Sequence, residues 1–588
     1  MSFWTAEDKV PIAQTKVSIP AEHGLQYSPG QKCEFHIPAG IGFFQPKESY
    51  LNLSVRLSNT DTPTRLQLDS ETGLQILLRE VRVYSKGSGR ILLEEYQNYN
   101  VLTALKYDYE TNDTLRAKRS LTEGTTNYTE QTRSTTAVPK GAQNNLLENP
   151  YYKPLPKQTA IFDEPWGDAD FYEVKALLPL HTGIFQNSKV FPIAMTEGLV
   201  VEIIFEEVRK VFRTLDQTNG YRHLTANPFF HSTNGSNHAP DSPQADNGSQ
   251  FQEFYIRRDN CQGWDGDISS FPFVIGEEIG FKNVTNGSEL TDTKVVAGNK
   301  NITEISYVAG TSNLIKVKLN GSFRPDTDPL TQNHVLFSKS IENSATYSPS
   351  YTITNAEFVI QKVEMPQGYT SKLASMMKSG GAMNYDFVSA TNYKISQLAS
   401  ERVANLRLPL TQSRAKSILC IPTDATASGT RDLLMAKTTY VTDYDLDGDS
   451  TTRAWLANHS QRTGITGCAD HLTSYQLFYD GKLNPNRKVF CDKISNKVSV
   501  AAQPLIELEK ALVMSGIKPF SMLKFRENFC IGRALSLQNG VYDARGKDFA
   551  LQLEYQETTG PAVDKLWHCW CVHLRRIVIS GSSISLQV

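Results

Sequence analysis

The 588-residue chain has few of the residues that mark several common classes of protein. Eight cysteines are sparse for this length, and several lie inside apolar strand patterns, so we expect buried, reduced thiols. No hydrophobic run approaches the roughly 18 to 20 residues that a membrane-spanning helix needs. The N-terminal sequence is polar and carries acids early, unlike a signal peptide, so we expect synthesis in the cytoplasm.

Charge of one sign is not in excess either, because 60 Lys and Arg balance 62 Asp and Glu. A near-neutral chain has no electrostatic reason to be a dedicated nucleic-acid binder, and we expect no specific nucleic-acid partner. By contrast, 27 Phe and 25 Tyr far outnumber 6 Trp and 9 Met, which favours the packing of β-sheets over helical bundles. The length favours two or more domains.

The most regular pattern lies between Phe171 and Phe212. A strand there ends in a Leu-Pro-Leu turn, and a second strand follows after an irregular bridge. The second strand alternates with period two. Glu202 and Glu206 lie on one face, and the other face carries Leu199, Val201, Ile203 and Phe205. Similar amphipathic strands close the chain between residues 548 and 579. Two halves that each end in long strands predict a duplicated β-sandwich.

The predicted fold class is therefore mainly β, with two jelly-roll domains, long loop insertions and a few short helices. We expect the first jelly roll over residues 1–212, with a long polar loop at 108–168. Residues 213–349 form a loop-rich insertion between or within the jelly rolls. The second jelly roll covers 350–588, with a long loop at 423–472.

Two short helices are predicted. Apolar residues recur at helical spacing from Ile91 to Leu105, directly after a turn that follows a strand. A second helix is predicted from Gly368 to Lys378, where Ser379 and two glycines end it.

Five strand-and-turn stretches follow one another along most of the chain. They are LLREVRVYSKGSGRILLEEYQNYNVL (77–102), LLPLHTGIFQNSKVFPIAMTEGLVVEIIFE (177–206), TNAEFVIQKVEMPQGY (354–369), LPLTQSRAKSILCIP (408–422) and IGRALSLQNGVYDARGKDFALQLEY (531–555). In this order and over this length, the chain resembles the major capsid proteins of double jelly-roll DNA viruses, especially those of virophages and polinton-like viruses.

The resemblance implies a structural protein of the virion, without enzymatic activity and without a cofactor. Two jelly rolls would stand side by side, perpendicular to an icosahedral shell, and three copies would form a pseudo-hexagonal capsomer. Long loops would project outward and the N-terminal arm would face the interior. The implied partners are neighbouring capsomers, penton proteins and minor capsid proteins.

One acidic stretch resembles a calcium loop. Asp443, Asp445 and Asp447, followed by Gly448, match the first half of an EF-hand. The twelfth position, however, is Ala454 instead of a bidentate glutamate. An acidic surface turn and a Ca²⁺-binding loop therefore both stay open.

A second metal-like pattern lies near the C-terminus. Cys569, Cys571 and His573 share one face of a predicted strand, as three ligands of Zn²⁺ could. No fourth ligand is evident, and the same row of small residues is typical of a packed core. We favour packing over metal binding.

The remaining polar candidates are interpreted as solvated groups without catalytic roles. They are the loop histidines His223, His231 and His238, the basic cluster Arg116, Lys118 and Arg119 in a predicted turn, and the carboxylate pairs Glu94-Glu95 and Glu206-Glu207. Processing or nucleic-acid contact is the alternative for the basic cluster.

Two other functions fit a β-rich chain of this length. A carbohydrate-binding or carbohydrate-active sandwich would need two facing carboxylates and an aromatic platform. The six tryptophans are dispersed along the sequence, which does not favour such a platform. A receptor-binding fibre fits the long loops, but the short repeats that fibres usually carry are not visible.

Overall fold

The computed structural model describes most of residues 13–125, 171–213, 349–425 and 465–587, together with six strands between 229 and 338. Within these residues lie 25 strands and five helices, so the class is mainly β, as predicted. No helix in the described part of the chain is both long and apolar enough to cross a membrane.

The strands fall into two successive groups, numbered along the chain. Those of the first half are β1 (Ala13–Pro20), β2 (Lys32–Ile37), β3 (Phe43–Asn59), β4 (Gln67–Leu68), β5 (Leu78–Ser85), β6 (Leu92–Gln97), β7 (Phe171–Pro179), β8 (Leu199–Phe205), β9 (Phe212–Arg213), β10 (Phe229–His231), β11 (Phe251–Arg257), β12 (Ile279–Asn283), β13 (Ile302–Tyr307), β14 (Leu314–Phe323), β15 (His334–Ser338) and β16 (Pro349–Glu364). Those of the second half are β17 (Ala382–Gln397), β18 (Val403–Leu408), β19 (Ala415–Asp424), β20 (Leu472–Tyr479), β21 (Lys482–Phe490), β22 (Ile531–Ala534), β23 (Phe549–Tyr555), β24 (Lys565–Ser580) and β25 (Ser583–Gln587).

Each half contains two four-stranded antiparallel sheets with the same strand order. In the first half the sheets run β1-β16-β3-β7 and β2-β8-β5-β6; in the second they run β17-β24-β19-β22 and β18-β23-β20-β21, with β25 added beside β24. Numbering the eight principal strands of either half from one to eight gives the orders 1-8-3-6 and 2-7-4-5 both times. This is the jelly-roll topology, and its repetition confirms the predicted double jelly roll.

Alternating side chains explain why these segments form sandwich strands. In β18 every second residue is buried, and the buried ones are Ala404, Leu406 and Leu408. Burying one face of each strand between two sheets gives each half an apolar interior. The buried side chains of both halves join into a single cluster.

The predicted boundary at residue 350 places the strand β16 in the second jelly roll, but the strand belongs to the first. It pairs with β1 and with β3, so it is the eighth strand of the first jelly roll and not part of the second. The six strands β10 to β15 therefore lie inside the first jelly roll, as an insertion between its seventh and eighth strands. Strand β16 pairs with residues at least 290 positions earlier, such as Leu51 opposite Phe358. Pairing over this separation leaves no local signal in the sequence.

The described helices are α1 (Tyr99–Glu110), α2 (Asp113–Thr122), α3 (Val208–Val211), α4 (Gln367–Lys378) and α5 (Ala502–Met514). The helix predicted from Gly368 is confirmed as α4, whereas the one predicted over 91–105 is wrong in its first half. That stretch begins as β6, which pairs with β5. The helix starts only after Asn98, where a positive φ of 56° changes the direction of the backbone. Helix α5 was not predicted.

Consecutive principal strands reverse direction, so their connections alternate between the two ends of each jelly roll. The strand ends that flank residues 98–170, 206–348, 425–471 and 491–530 all belong to an odd strand and the next even one. They lie at one end, which we call the long-loop end. At the opposite end the longest connection runs only from 180 to 198. Each jelly roll therefore has one elaborate end and one plain end.

Candidate functional site

The two jelly rolls meet where β6 of the first lies against β24 and β17 of the second, a contact we call the seam. Arg575 donates a hydrogen bond to the carbonyl oxygen of Leu93 over 2.7 Å. Three residues on, the Tyr96 ring lies 6.1 Å from the ring of Trp570, which is fully buried. Aromatic pairs at this separation add to the apolar burial.

Asn98 completes this row of contacts by reaching His568. As the chain runs forward from Leu93 to Asn98, the residues that it contacts on β24 run backwards from Arg575 to His568. The strands β6 and β24 are therefore antiparallel across the seam. Because β6 leads to the long-loop end and β24 leads away from it, the long-loop ends of both jelly rolls lie on the same side. Tyr109 supports this alignment, since its hydroxyl donates to the carbonyl of Asn528, in the long connection after β21, over 3.0 Å.

His568 has a defined neutral form in the seam. Its Nδ1 lies 3.2 Å from the side-chain nitrogen of Asn98 and 3.3 Å from that of Asn392, so it accepts from both amides. Its Nε2 therefore carries the proton and donates to the Thr423 hydroxyl at 3.1 Å. Burial, followed by the charges of Lys394 and Lys210, lowers the pKa of His568 to about 3.

Glu94 holds a loop of the first jelly roll against the second. Its two carboxylate oxygens accept the backbone N–H groups of Gly183 and Ile184 at 2.9 and 2.8 Å. Burial raises the pKa of Glu94 to about 7, although both N–H groups and Arg575 favour its charged form. The predicted surface role is therefore wrong for Glu94, which is fully buried.

Gly183 is required by close approach across the seam. A Cβ built there would lie 1.9 Å from the carbonyl oxygen of Val388 in β17, so no larger residue fits without movement of backbone.

The cysteines suggested as metal ligands lie in the interior of the second jelly roll. Cys569 is directly opposite Cys420 on β19, and both are buried free thiols, as is Cys571. The neighbouring His573 places Nε2 2.9 Å from the Thr391 hydroxyl. Among the residues that the structure describes, no group of three or more His, Cys, Asp or Glu could hold a metal ion.

The two glutamates of the most regular strand have different surroundings. Glu202 is buried beneath basic side chains, 3.0 Å from Arg82 and 3.4 Å from Lys32. Glu206, at the long-loop end of β8, is buried and accepts from the Asn100 side chain at 2.8 Å. Glu202 lies opposite Glu34 on β2, but Lys32 and Arg90 are paired with both carboxylates, so this acid pair is not suited to general acid–base chemistry.

The basic cluster lies on helix α2 and not in the predicted turn. The Arg119 guanidinium is buried, lies 3.7 Å above the Tyr107 ring centroid and donates to Thr111. Lys118 is exposed, and Arg116 belongs to the same helix. A stacked arginine of this kind is typical of packing.

Several sequence candidates fall outside the described residues. These are Asp443, Asp445 and Asp447, and the histidines His223 and His238. His231 lies in the short strand β10.

Apolar side chains are exposed on the second jelly roll. Phe490 on β21 is 57% exposed, Val513 on α5 is 59% exposed, and Ile506 on α5 is 49% exposed. The two α5 residues are seven apart and share one face of the helix, while Leu508 and Leu512 are fully buried. We call Phe490, Ile506 and Val513 the outer apolar residues. The seven-residue spacing of Ile506 and Val513 is the sequence signal that could have revealed α5.

No protein-family profile matches the chain, and no curated protein matches it. Solved structures of viral capsids align with it over nearly its whole length. A faustovirus major capsid protein is 8% identical, with 99% of this chain and 93% of that chain covered and a TM-score of 0.44. The structure of the Sputnik virophage is 10% identical, covering 100% and 90%, with a TM-score of 0.40. The mavirus major capsid protein is 8% identical, covering 100% and 93%, with a TM-score of 0.36.

Proposed function

We propose that this protein is a major capsid protein that assembles as a pseudo-hexagonal trimer and tiles an icosahedral shell. The observation that carries the proposal is the repeated strand order, with both jelly rolls aligned in the same direction within one chain. Its work is self-assembly, without catalysis and without a cofactor.

Symmetry explains why such a chain suits a shell. Three copies related by a threefold axis present six similar sandwiches around that axis, which is close to the sixfold packing that a flat wall needs. Alignment of the two jelly rolls gives the trimer one elaborate face and one plain face. We propose that the long-loop end faces outward and the plain end inward.

Contacts between copies would use surfaces that one chain leaves open. The outer apolar residues lie on β21 and α5, where a neighbouring subunit would bury them. The charged outer face of the first jelly roll, around Arg82 and Glu202, would supply polar contacts that set the register. Interfaces of modest size allow wrongly placed subunits to dissociate during assembly.

The proposal extends to domains, partners and location. We assign the first jelly roll to the part of the chain up to Glu364 and the second to the part from Ala382 onward, joined by α4. Partners would be neighbouring capsomers, penton proteins and minor capsid proteins, without specific nucleic-acid binding. The protein would be made in the host cytoplasm and reside in the virion.

Light scattering after size-exclusion chromatography tests the proposal. We expect a stable particle near three times 65.7 kDa, and electron micrographs with hexagonal particles or shells. A monomer that hydrolyses glycosides would contradict the proposal and favour a carbohydrate-active sandwich instead.

A further inference from the structure

The seam borders a half-open cavity of about 530 Å³ to which the proposed function assigns no role. Both jelly rolls contribute to its walls, so it exists only when the two halves are joined. Its volume lies within the range of roughly 300 to 1,000 Å³ that is usual for small-molecule sites, and such sites favour domain boundaries.

One wall of the cavity is apolar. The side chains that form it come mainly from the sheet of the second jelly roll that faces the seam: Phe387, Val388, Ala390, Leu419, Val572 and Leu574. Leu102 of α1 and Ile517 also border it. An alkyl chain lying against this wall would exclude water from apolar surface.

Basic side chains also line the cavity, and they outnumber the acidic ones. They are Lys47, Lys106 and Lys518, and Lys106 Nζ lies 3.7 Å from Glu110. Lys106 also lies 3.3 Å from the Nδ1 atom of His181. Burial keeps the pKa of His181 well below its usual value, so this imidazole is neutral.

The carboxylate of Asp386 does not neutralise the positive charge of these lysines. It borders the cavity, but its carboxylate is held by Arg576 over 2.7 and 3.2 Å. One carboxylate, that of Glu110, is therefore left against three ammonium groups, and the charge of Lys47 opposes that of Lys106. An anion placed between the two lysines would relieve this repulsion.

A buried hydroxyl lies beside the lysines. Thr182 is fully buried and borders the cavity, and its Oγ1 has no hydrogen-bond partner among the described residues. Buried polar atoms are normally hydrogen-bonded, so an unpaired hydroxyl at the border of a cavity points to an acceptor supplied by a ligand.

We propose that the seam cavity binds an amphiphile with a carboxylate head and an alkyl chain. The head accepts from Lys47, Lys106 and Thr182, and the chain lies against the apolar wall of the second jelly roll. Since the ligand touches both halves, its binding stabilises the seam. The inference does not depend on the protein being a capsid subunit.

Calorimetric titration of the full-length protein, stripped of co-purified lipid, tests this site with dodecanoate below its micellar concentration. We expect saturable binding at one site per chain and a rise in the thermal unfolding midpoint. Dodecanol, which lacks the charge, and acetate, which lacks the chain, should each bind at least about tenfold more weakly.

Variants separate the head from the tail. Lys47→Met, at an exposed side chain, should weaken dodecanoate binding by about tenfold, and Thr182→Val should weaken it severalfold. Lys378→Met, on the exposed end of α4 away from the cavity, is the matched control and should bind like the wild type. Circular dichroism verifies that each variant is folded.

Two results would overturn the inference. Equal binding of dodecanol and dodecanoate, unchanged in Lys47→Met, would exclude a carboxylate site at the lysines. Absence of any binding by the folded wild type would exclude the cavity as a ligand site, whatever the oligomeric state.

Discussion

The two jelly rolls share one strand order but close their open sides differently. In the second, helix α5 packs over β22 so tightly that a Cβ at Gly532 would lie 2.8 Å from the Cα atom of Leu508. In the first, the side along β6 is covered by the other jelly roll, through Tyr96 and Trp570. Helix α5 thus covers the side of the second half along β22, whereas the second half itself covers the side of the first along β6, so the seam is part of the first half's core.

The largest expected effect comes from truncation at the seam. Trp570→Ala should lower the free energy of unfolding by about 3–5 kcal/mol, because it removes a fully buried indole and leaves a cavity between the halves. Denaturant unfolding measures this loss. A loss below about 1 kcal/mol would mean that the seam contributes little and that the halves are independent.

A pair of glycine variants compares the two ways of closing a jelly roll. Gly183→Ala forces a methyl group against the Val388 carbonyl and should destabilise the seam by about 1–3 kcal/mol. Gly532→Ala should cost a similar amount but loosen α5 instead. Hydrogen exchange should locate the change at β17 in the first variant and at α5 in the second. Gly40→Ala, where nothing lies within 4 Å, is the control.

The seam should also respond to pH in two opposing ways. The folded-state pKa of His568 is lowered to about 3, so its contribution to stability is lost as the pH falls below about 6.5, by about 2 kcal/mol at pH 5. The folded-state pKa of Glu94 is raised to about 7, so its contribution increases as the pH falls from about 7 towards 4.5.

Removing each group should separate these effects. Unfolding midpoints measured from pH 8 to pH 4.5 should show His568→Gln less sensitive to acid than the wild type, and Glu94→Gln more sensitive. Identical profiles for all three proteins would contradict the assignment of both groups to the seam.

The smallest expected effect on stability, and a large one on assembly, concerns the outer apolar residues. Phe490→Asp combined with Val513→Asp should change the stability of the subunit by no more than about 0.5 kcal/mol, because both side chains are exposed. Light scattering should nevertheless show monomers in place of trimers. Lys378→Asp, at an exposed helix end, should leave the trimer intact.

The sequence predicted most of what is local and little of what joins the halves. Period-two alternation correctly indicated the strand β8, because its residues in the apolar core recur at every second position. On β24 it drew attention to the face of Cys569 and Cys571, yet the seam contacts of His568 and Trp570 lie on the other face. His568 meets Asn98 across 470 positions, a pairing that no local pattern encodes.

The helix error near residue 91 has the same origin. Tyr96 and Leu102 fit a stripe at helical spacing. The residues of β6 nevertheless form a strand, because β5 offers an edge to which they hydrogen-bond. Tertiary pairing overrides local propensity in such short segments. The buried Glu94 could not be separated by sequence from its half-buried neighbour Glu95 for the same reason.

The late position of β16 in the chain sets the order of events during synthesis. This strand fits between β1 and β3, and Ala13 pairs with Glu364, so the first sheet keeps an open gap until the ribosome has passed the whole insertion. At ordinary elongation rates that interval is roughly 10–30 s. In the second jelly roll the corresponding strand follows its predecessor almost at once. The nascent first half is therefore the stage at which chaperone binding is most needed.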